Sequence, residues 1–204
     1  MKEEVKKKNE SSPKFEISSW ERPFREFVTE FVGESDRAAV ILGAAKLDYL
    51  LYQILQKYLI PNPAGRDELL DGDAPLSTFS SKINMCYRLG LLSAEVTRAL
   101  HLIRKIRNSF AHEVSGCKLD SGAHRDRVRE LAAPFIKTRG YRMIEERYFK
   151  DKSGSAAEFY IILAMIAIRL DGLFETQTPL TDDEAIEMNP PPYNERLDDS
   201  DEAN

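Results

Sequence analysis

Residues 34–61, ESDRAAVILGAAKLDYLLYQILQKYLIP, constrain the fold more than any other part of the chain. Ser35 is a favourable N-cap, Asp36 lies in the first turn where the helix dipole favours a carboxylate, and Pro61 ends the run. The first half of the segment is rich in small residues: Ala38, Ala39, Gly43, Ala44 and Ala45. Because small side chains let neighbouring helices approach closely, the segment predicts one long, central helix.

Further helices are predicted on both sides of this segment. Their spacing of apolar residues is helical at 20–31, 76–89, 121–137 and 156–174, and Ser93 caps another helix that ends in the sequence IRKIRNSFAHE. Residues 138–155 are mixed in character and are interpreted as a hairpin arm or an irregular segment. The fold class that follows is all-α, a single multi-helix bundle with disordered N- and C-terminal ends.

The chain has 204 residues, enough for one domain with a substantial core. Residues 1–18 predict a disordered lead-in, residues 19–175 the helical domain, and residues 176–204 a flexible acidic tail. The tail holds nine acidic residues and one basic residue, which leaves 28 basic and 25 acidic residues elsewhere. Such a weakly basic body does not favour a nucleic-acid-binding surface, and an acidic tail would repel one.

Cysteine usage and hydropathy indicate the compartment. Cys86 and Cys117 have no metal-ligand or redox spacing, so we expect two free thiols, no metal and no cofactor. The start, MKEEVKKKNE, lacks the apolar stretch of a secretory signal, and the longest apolar run, FYIILAMIAI, is too short to span a membrane. The sequence therefore predicts a cytoplasmic protein.

Arg107 is the most informative residue of the motif at 103–113. Successive residues of an α-helix are rotated by about 100°, which places Arg107 on the apolar face that Ile103 and Phe110 also occupy. A buried guanidinium needs a partner, because burying it unpaired costs several kcal/mol. Asp48, between apolar neighbours on the long helix, is the partner that we predict.

His112 lies about 140° from Arg107 around a regular helix, so the two meet only if the helix tightens or ends early, or if a second subunit completes the site. An imidazole at this position fits interaction with the helix dipole, a catalytic role or a binding role. Asn108 would orient Arg107 or cap a carbonyl, and Asp36 and Arg37 would line the same polar cluster.

Three segments together resemble the mannitol operon repressor (MtlR/MltR) family. They are ESDRAAVILGAAKLDYLLYQIL at 34–55, LLDGDAPLSTFSSKINMCYRLGLLS at 69–93 and LHLIRKIRNSFAHE at 100–113, in the order and at about the spacing of the family. The resemblance implies an all-helical regulator of sugar-alcohol uptake that binds a protein partner, such as a phosphotransferase-system carrier protein. Independently, the sequence contains no helix-turn-helix with a basic recognition helix.

The same helix also resembles a second, broader group. Arg107 and His112 form the R-x4-H motif of the HEPN superfamily, which includes dimeric, metal-independent ribonucleases. That resemblance implies a histidine that helps to activate a ribose hydroxyl and an arginine that stabilises the phosphorane charge.

Two functions follow from the sequence. The first is an MtlR-like regulator of a bacterial carbohydrate operon that acts through protein binding, with Asp36, Arg37, Asp48, Arg107, Asn108 and His112 as a binding or structural cluster. The alternative is a HEPN-type endoribonuclease that uses Arg107 and His112 across a homodimer, with RNA as its ligand.

Overall fold

A computed structural model of the chain describes residues 34–62, 65–113, 116–150 and 152–182. These contain six helices: α1 (Asp36–Tyr58), α2 (Phe79–Arg88), α3 (Ala94–His112), α4 (Gly122–Ala132), α5 (Arg139–Tyr148) and α6 (Ser155–Thr176). No strand occurs in these four ranges, which confirms the all-α class. The helix expected at 20–31 lies outside the described residues, as do residues 1–18 and 183–204.

The long central helix forms where its end signals predict it. The Ser35 hydroxyl accepts a hydrogen bond from the Ala38 amide at 3.3 Å, and Asp36 occupies the first turn. At the other end the Leu59 amide donates to the Leu55 carbonyl at 2.9 Å, and the backbone then turns extended. The prediction of this helix is confirmed.

Three other helices pack against α1, namely α2, α3 and α6. Among the described helices, α1 is the one whose length and apolarity would suffice to cross a membrane, but 50% of its most apolar window is buried inside the bundle. That burial is typical of a core helix in a globular protein.

The second helix begins later than its sequence signal indicated. The apolar spacing predicts this helix over 76–89, but residues 76–78 precede it. Thr78 is its N-cap, with its hydroxyl accepting from the Ser81 amide at 3.1 Å. The first amides of a helix have no partner within it, and the threonine hydroxyl at the cap accepts from one of them. For α3, the cap at Ser93 is confirmed, with the Val96 amide donating to it at 3.3 Å.

The region after α3 corrects two expectations. The helix expected over 121–137 ends at Ala132, two residues before Pro134, which has no backbone N–H to continue the helical hydrogen bonds. Residues 139–148, expected to be a hairpin arm or irregular, form α5, whose Tyr141 and Ile144 are buried three residues apart. Thr138 caps this helix by accepting from the Tyr141 amide at 3.3 Å.

The apolar helix α6 forms the other half of the core. It packs on α1, α4 and α5, and its side chains from Phe159 to Ala164 are almost completely buried. Gly43 of α1 faces Leu163 of α6 so closely that a Cβ atom at position 43 would overlap the leucine Cδ2 atom. The small residues of α1 therefore allow the close approach that the sequence predicted.

Contacts with the core continue past the end of α6. The Gln177 side-chain amide donates from Nε2 to the Ile54 carbonyl at 2.9 Å. The Leu180 backbone amide donates to the Tyr58 carbonyl at 2.8 Å. Gln177 and Leu180, which lie within the tail predicted over 176–204, therefore contact α1.

Candidate functional site

Asp48 does not pair with Arg107. Its Oδ1 atom lies 2.9 Å from Nζ of Lys82 on α2, and the ammonium also donates to the Ser77 carbonyl at 2.8 Å. The Lys82 side chain is 6% exposed and that of Asp48 is 29% exposed. The predicted ion pair between Asp48 and Arg107 is wrong, because the carboxylate pairs with Lys82 of the neighbouring helix. The sequence did not single out this lysine.

Arg107 lies at the edge of the buried face of α3 and not at its centre. Ile103, Ile106 and Phe110 are completely buried, and their mean direction is rotated about 60° from that of Arg107. Arg107 is half-buried, and no carboxylate of the residues with described positions lies within ion-pair distance of it. Half-burial lets the guanidinium reach water, so a buried ionic partner is not required.

Asn108 and His112 follow Arg107 on α3 but do not join it. Asn108 is half-buried and His112 is exposed, and the helix remains regular through His112. A regular helix keeps the imidazole about 140° from Arg107. A single chain therefore does not assemble the arginine and histidine into one site, and the R-x4-H spacing stays a prediction from sequence.

Asp36 is half-buried at the start of α1 and links this helix to two other parts of the fold. One carboxylate oxygen accepts from the Leu119 amide at 2.8 Å, and the other accepts from the Tyr160 hydroxyl at 3.3 Å. These bonds tie the start of α1 to the connection between α3 and α4 and to α6. Burial, and next the charge of Asp36, raise the pKa of Tyr160, which keeps its hydroxyl a donor.

Arg37, beside it, reaches the end of α3. Its guanidinium donates to the Glu113 carbonyl and lies 3.6 Å from the Cys117 sulfur. Glu113 is the C-cap residue of α3, where carbonyl groups lack helical partners. Arg37 therefore supplies a cation at the negative end of the α3 dipole.

These contacts surround a polar group that we call the Glu113 cluster, consisting of Ser109, Glu113, Cys117 and His124. The Glu113 carboxylate accepts from the Cys117 thiol at 2.8 Å, from the Ser109 hydroxyl at 3.2 Å and from His124 Nε2 at 3.1 Å. The ligand atoms of Glu113, Cys117 and His124 all lie within 4.8 Å of one another. The end of α3, the following loop and α4 thus converge on one carboxylate.

The pKa values of Glu113 and Cys117 are shifted in opposite directions. The thiol hydrogen bond from Cys117, more than the bonds from Ser109 and His124, lowers the pKa of Glu113 below that of an ordinary glutamate. The same bond, followed by burial, raises the pKa of Cys117, while the nearby Arg37 opposes that rise. The proton therefore resides on sulfur, and Glu113 is the charged member of the pair.

His124 is fixed more firmly than the rest of the cluster. It is 6% exposed, and its ring packs on Phe110 with centroids 4.5 Å apart. Its Nε2 atom points at Glu113, and its Nδ1 atom is buried with no hydrogen-bond partner among the residues placed by the structure. The site therefore contains one rigid imidazole facing a thiol and a carboxylate.

Glu113, Cys117 and His124 were not predicted from the sequence as a group. Their spacing, Glu-x3-Cys-x6-His, matches no familiar metal motif, and His124 lies among alternating charges that are typical of a solvated helix face. Only the packing of α4 against α3 brings them together. The one available signal was position, since Glu113 ends one helix and His124 begins the next.

A second surface feature lies at α5 and its preceding turn. Ile136 and Met143 are 41% and 46% exposed. Met143 lines a surface depression with Lys137, Arg139 and Arg142, and Glu146 and Arg147 line it as well. We call Ile136, Lys137, Arg139, Arg142 and Met143 the α5 patch. It combines apolar side chains with three cations on a helix that the sequence did not predict.

Comparisons with known proteins support the fold. No family model matches the chain, and no curated protein matches it. The X-ray structure of the MtlR–HPr complex from Escherichia coli is similar, with a TM-score of 0.54. The similarity covers 72% of this chain and 97% of that chain at 17% sequence identity. At this identity it shows a shared MtlR-like fold, as the three sequence segments predicted.

Proposed function

We propose that this chain is a cytoplasmic regulator of a bacterial sugar-alcohol operon and that it acts by binding another protein. The observation that carries the proposal is the fold similarity to a chain of the MtlR–HPr complex, which extends over 97% of that chain. The three sequence segments that resemble the mannitol operon repressor family support it independently. The partner that we propose is an HPr-type carrier protein of the phosphotransferase system.

We assign the docking surface to the α5 patch. Exposed arginine and methionine side chains are enriched at protein interfaces, and the patch presents Arg139, Arg142 and Met143 on one short helix. Lys137 adds a third positive charge, so the patch is complementary to an acidic surface on the partner. The carrier protein would place apolar side chains against Ile136 and Met143 and acidic groups around them.

Binding of the purified full-length chain to the carrier protein of its own organism tests both parts, with titration calorimetry as the measurement. We expect a one-to-one complex that weakens with added salt. The double variant Arg139→Glu/Arg142→Glu should weaken binding at least about tenfold. The matched control is Arg88→Glu/Arg169→Glu, which makes the same charge change at exposed arginines of α2 and α6.

The outcomes separate the two assignments. If the wild-type chain does not bind the carrier protein, the proposed function is wrong. If it binds and the Arg139→Glu/Arg142→Glu variant binds equally well, the function stands and the α5 patch is not the docking surface. Equal weakening by the control variant would mean that net charge alone drives association.

The ribonuclease alternative requires a homodimer, because α3 holds Arg107 and His112 on different sides of one helix. Within the described residues α3 stays regular through His112, so no observation brings the two side chains together. We therefore do not propose it as a second function, and its test is given among the predictions.

A further inference from the structure

We propose that Glu113, Cys117 and His124 form a zinc site that fastens the end of α3 to the start of α4. Their ligand atoms, a carboxylate oxygen, a sulfur and an imidazole nitrogen, lie within 4.8 Å of one another. Tetrahedral zinc sites use these three donor types, with ligand bonds of about 2.0–2.3 Å. Donor atoms at that distance from one ion are separated by about 3–4 Å, so small side-chain movements suffice.

The three donors lie on separate segments of the fold, and one of them is held rigidly. Glu113 is the last cap of α3, Cys117 lies in the following loop, and His124 lies in the first turns of α4. Burial and the contact with Phe110 restrict the His124 side chain, so its Nε2 atom is already positioned before an ion binds. A site with one rigid ligand loses less conformational entropy on binding.

The charges of the site balance when the ion binds. Zn²⁺ displaces the thiol proton of Cys117 to solvent, so that a thiolate and the Glu113 carboxylate together neutralise the ion. The proton on His124 Nε2 moves to Nδ1 as the ring nitrogen becomes a ligand. The ligand set is then neutral overall.

Two cations face the cluster from the neighbouring elements. Arg37 lies 3.6 Å from the Cys117 sulfur and is also held by the Glu113 carbonyl, and Arg127 donates to the Ser109 hydroxyl at 3.3 Å. The ion with its thiolate and carboxylate ligands has no net charge, so Arg37 and Arg127 do not repel the loaded site. Arg37 can keep a hydrogen bond to the thiolate, the kind of outer contact that orients metal ligands.

The choice of zinc follows from the donors. A thiolate and an imidazole favour Zn²⁺ over Mg²⁺ or Ca²⁺, which prefer oxygen ligands. Three protein ligands would leave a fourth position for water, and the exposed Glu113 gives the site access to solvent. The site is independent of the proposed partner and of the α5 patch.

Cobalt(II) titration of the tag-free, full-length chain under reducing conditions tests the proposal. We expect one equivalent of Co²⁺ to give a thiolate-to-cobalt charge-transfer band and the intense visible bands of tetrahedral cobalt, both removed by Zn²⁺. Cys117→Ser should abolish the charge-transfer band, and Glu113→Gln should weaken binding at least about tenfold. Zn²⁺ should raise the melting temperature of the wild type and leave that of Cys117→Ser unchanged.

The control variants use the other thiol and a neighbouring imidazole. Cys86→Ala removes the buried thiol of α2, and His112→Gln removes the exposed imidazole beside Glu113. Both should bind Co²⁺ like the wild type. His124→Gln should lose binding, and if it fails to fold, Cys117→Ser and Glu113→Gln decide the question because neither position is buried. A wild type without the charge-transfer band, or a band that survives in Cys117→Ser, would overturn the proposal.

Discussion

Lys82 Nζ lies 2.9 Å from Asp48 Oδ1, so α2 supplies the cation for the polar side chain of the central helix. The pair is asymmetric, because the lysine side chain is 6% exposed and the aspartate side chain 29%. The ammonium would therefore be left in the interior if its partner were removed, whereas the carboxylate has access to water. This asymmetry makes the two residues unequal in their effect on stability.

We expect Asp48→Asn to lower the free energy of unfolding by about 2–4 kcal/mol, since it leaves Lys82 buried with only the Ser77 carbonyl as a described partner. Lys82→Met should cost less, because the aspartate that remains can be hydrated. Urea unfolding measures both, with Lys105→Met on the exposed face of α3 as the control. A larger loss for Lys82→Met than for Asp48→Asn would contradict this account.

Gly43→Ala should destabilise the fold by about 1–3 kcal/mol through overpacking. The added Cβ atom would overlap Leu163 Cδ2 and come within 3.1 Å of Cδ1, and that leucine is 1% exposed. Gly172→Ala in α6 is the matched control, since no atom lies within 4 Å of its added Cβ. The control should stabilise the protein by up to about 1 kcal/mol through helix propensity. Thermal unfolding distinguishes the two, and equal effects would show that α1 and α6 do not approach closely.

Arg107→Ala should change the free energy of unfolding by less than about 1 kcal/mol. The guanidinium is half-buried and has no ion-pair partner within the described ranges, so its loss removes mainly the packing of its stem. Chemical denaturation measures the change, and the comparison is Asp48→Asn, which leaves the buried Lys82 ammonium without its carboxylate. A loss above about 3 kcal/mol would mean that a carboxylate outside the described residues holds Arg107.

Cys117 should react slowly with a thiol reagent at neutral pH, because its hydrogen bond to the Glu113 carboxylate raises the pKa of the thiol and lowers the thiolate fraction. Glu113→Gln removes the negative charge, so we expect severalfold faster alkylation of Cys117. Burial raises the pKa of Cys86 to about 12, so this thiol should react only on unfolding. Alkylation kinetics with a chelator present, followed by mass spectrometry, assign each thiol. An unchanged rate in Glu113→Gln would show that the carboxylate does not control the thiol.

Incubation with structured RNA should reveal no cleavage that depends on His112. The regular end of α3 keeps this imidazole about 140° around the helix from Arg107, so within the described residues the two side chains do not face one phosphate position. Comparison of the wild type with His112→Ala by gel electrophoresis provides the measurement. Cleavage by the wild type that is lost in the variant would establish the dimeric ribonuclease instead.

Interactions between residues close in sequence could be predicted, and contacts between separate helices could not. The caps at Ser35 and Ser93 were predicted because a cap hydroxyl bonds an amide only three residues away. The helix α5 was missed, since its two buried residues, Tyr141 and Ile144, are too few for a distinct period. The partner of Asp48 was predicted wrongly because α1 packs against several helices. Helix periodicity does not indicate which of their cations lies next to the carboxylate.

The sequence by itself determined the all-α class and the central position of α1. These properties follow from helix periodicity, small-residue content and end signals, all of which act within a few turns of one helix. The tertiary structure alone decided that Lys82 holds Asp48 and that Glu113, Cys117 and His124 meet. Such meetings depend on the packing angle and register of separate helices, which are set by the fit of whole side-chain surfaces and not by local spacing.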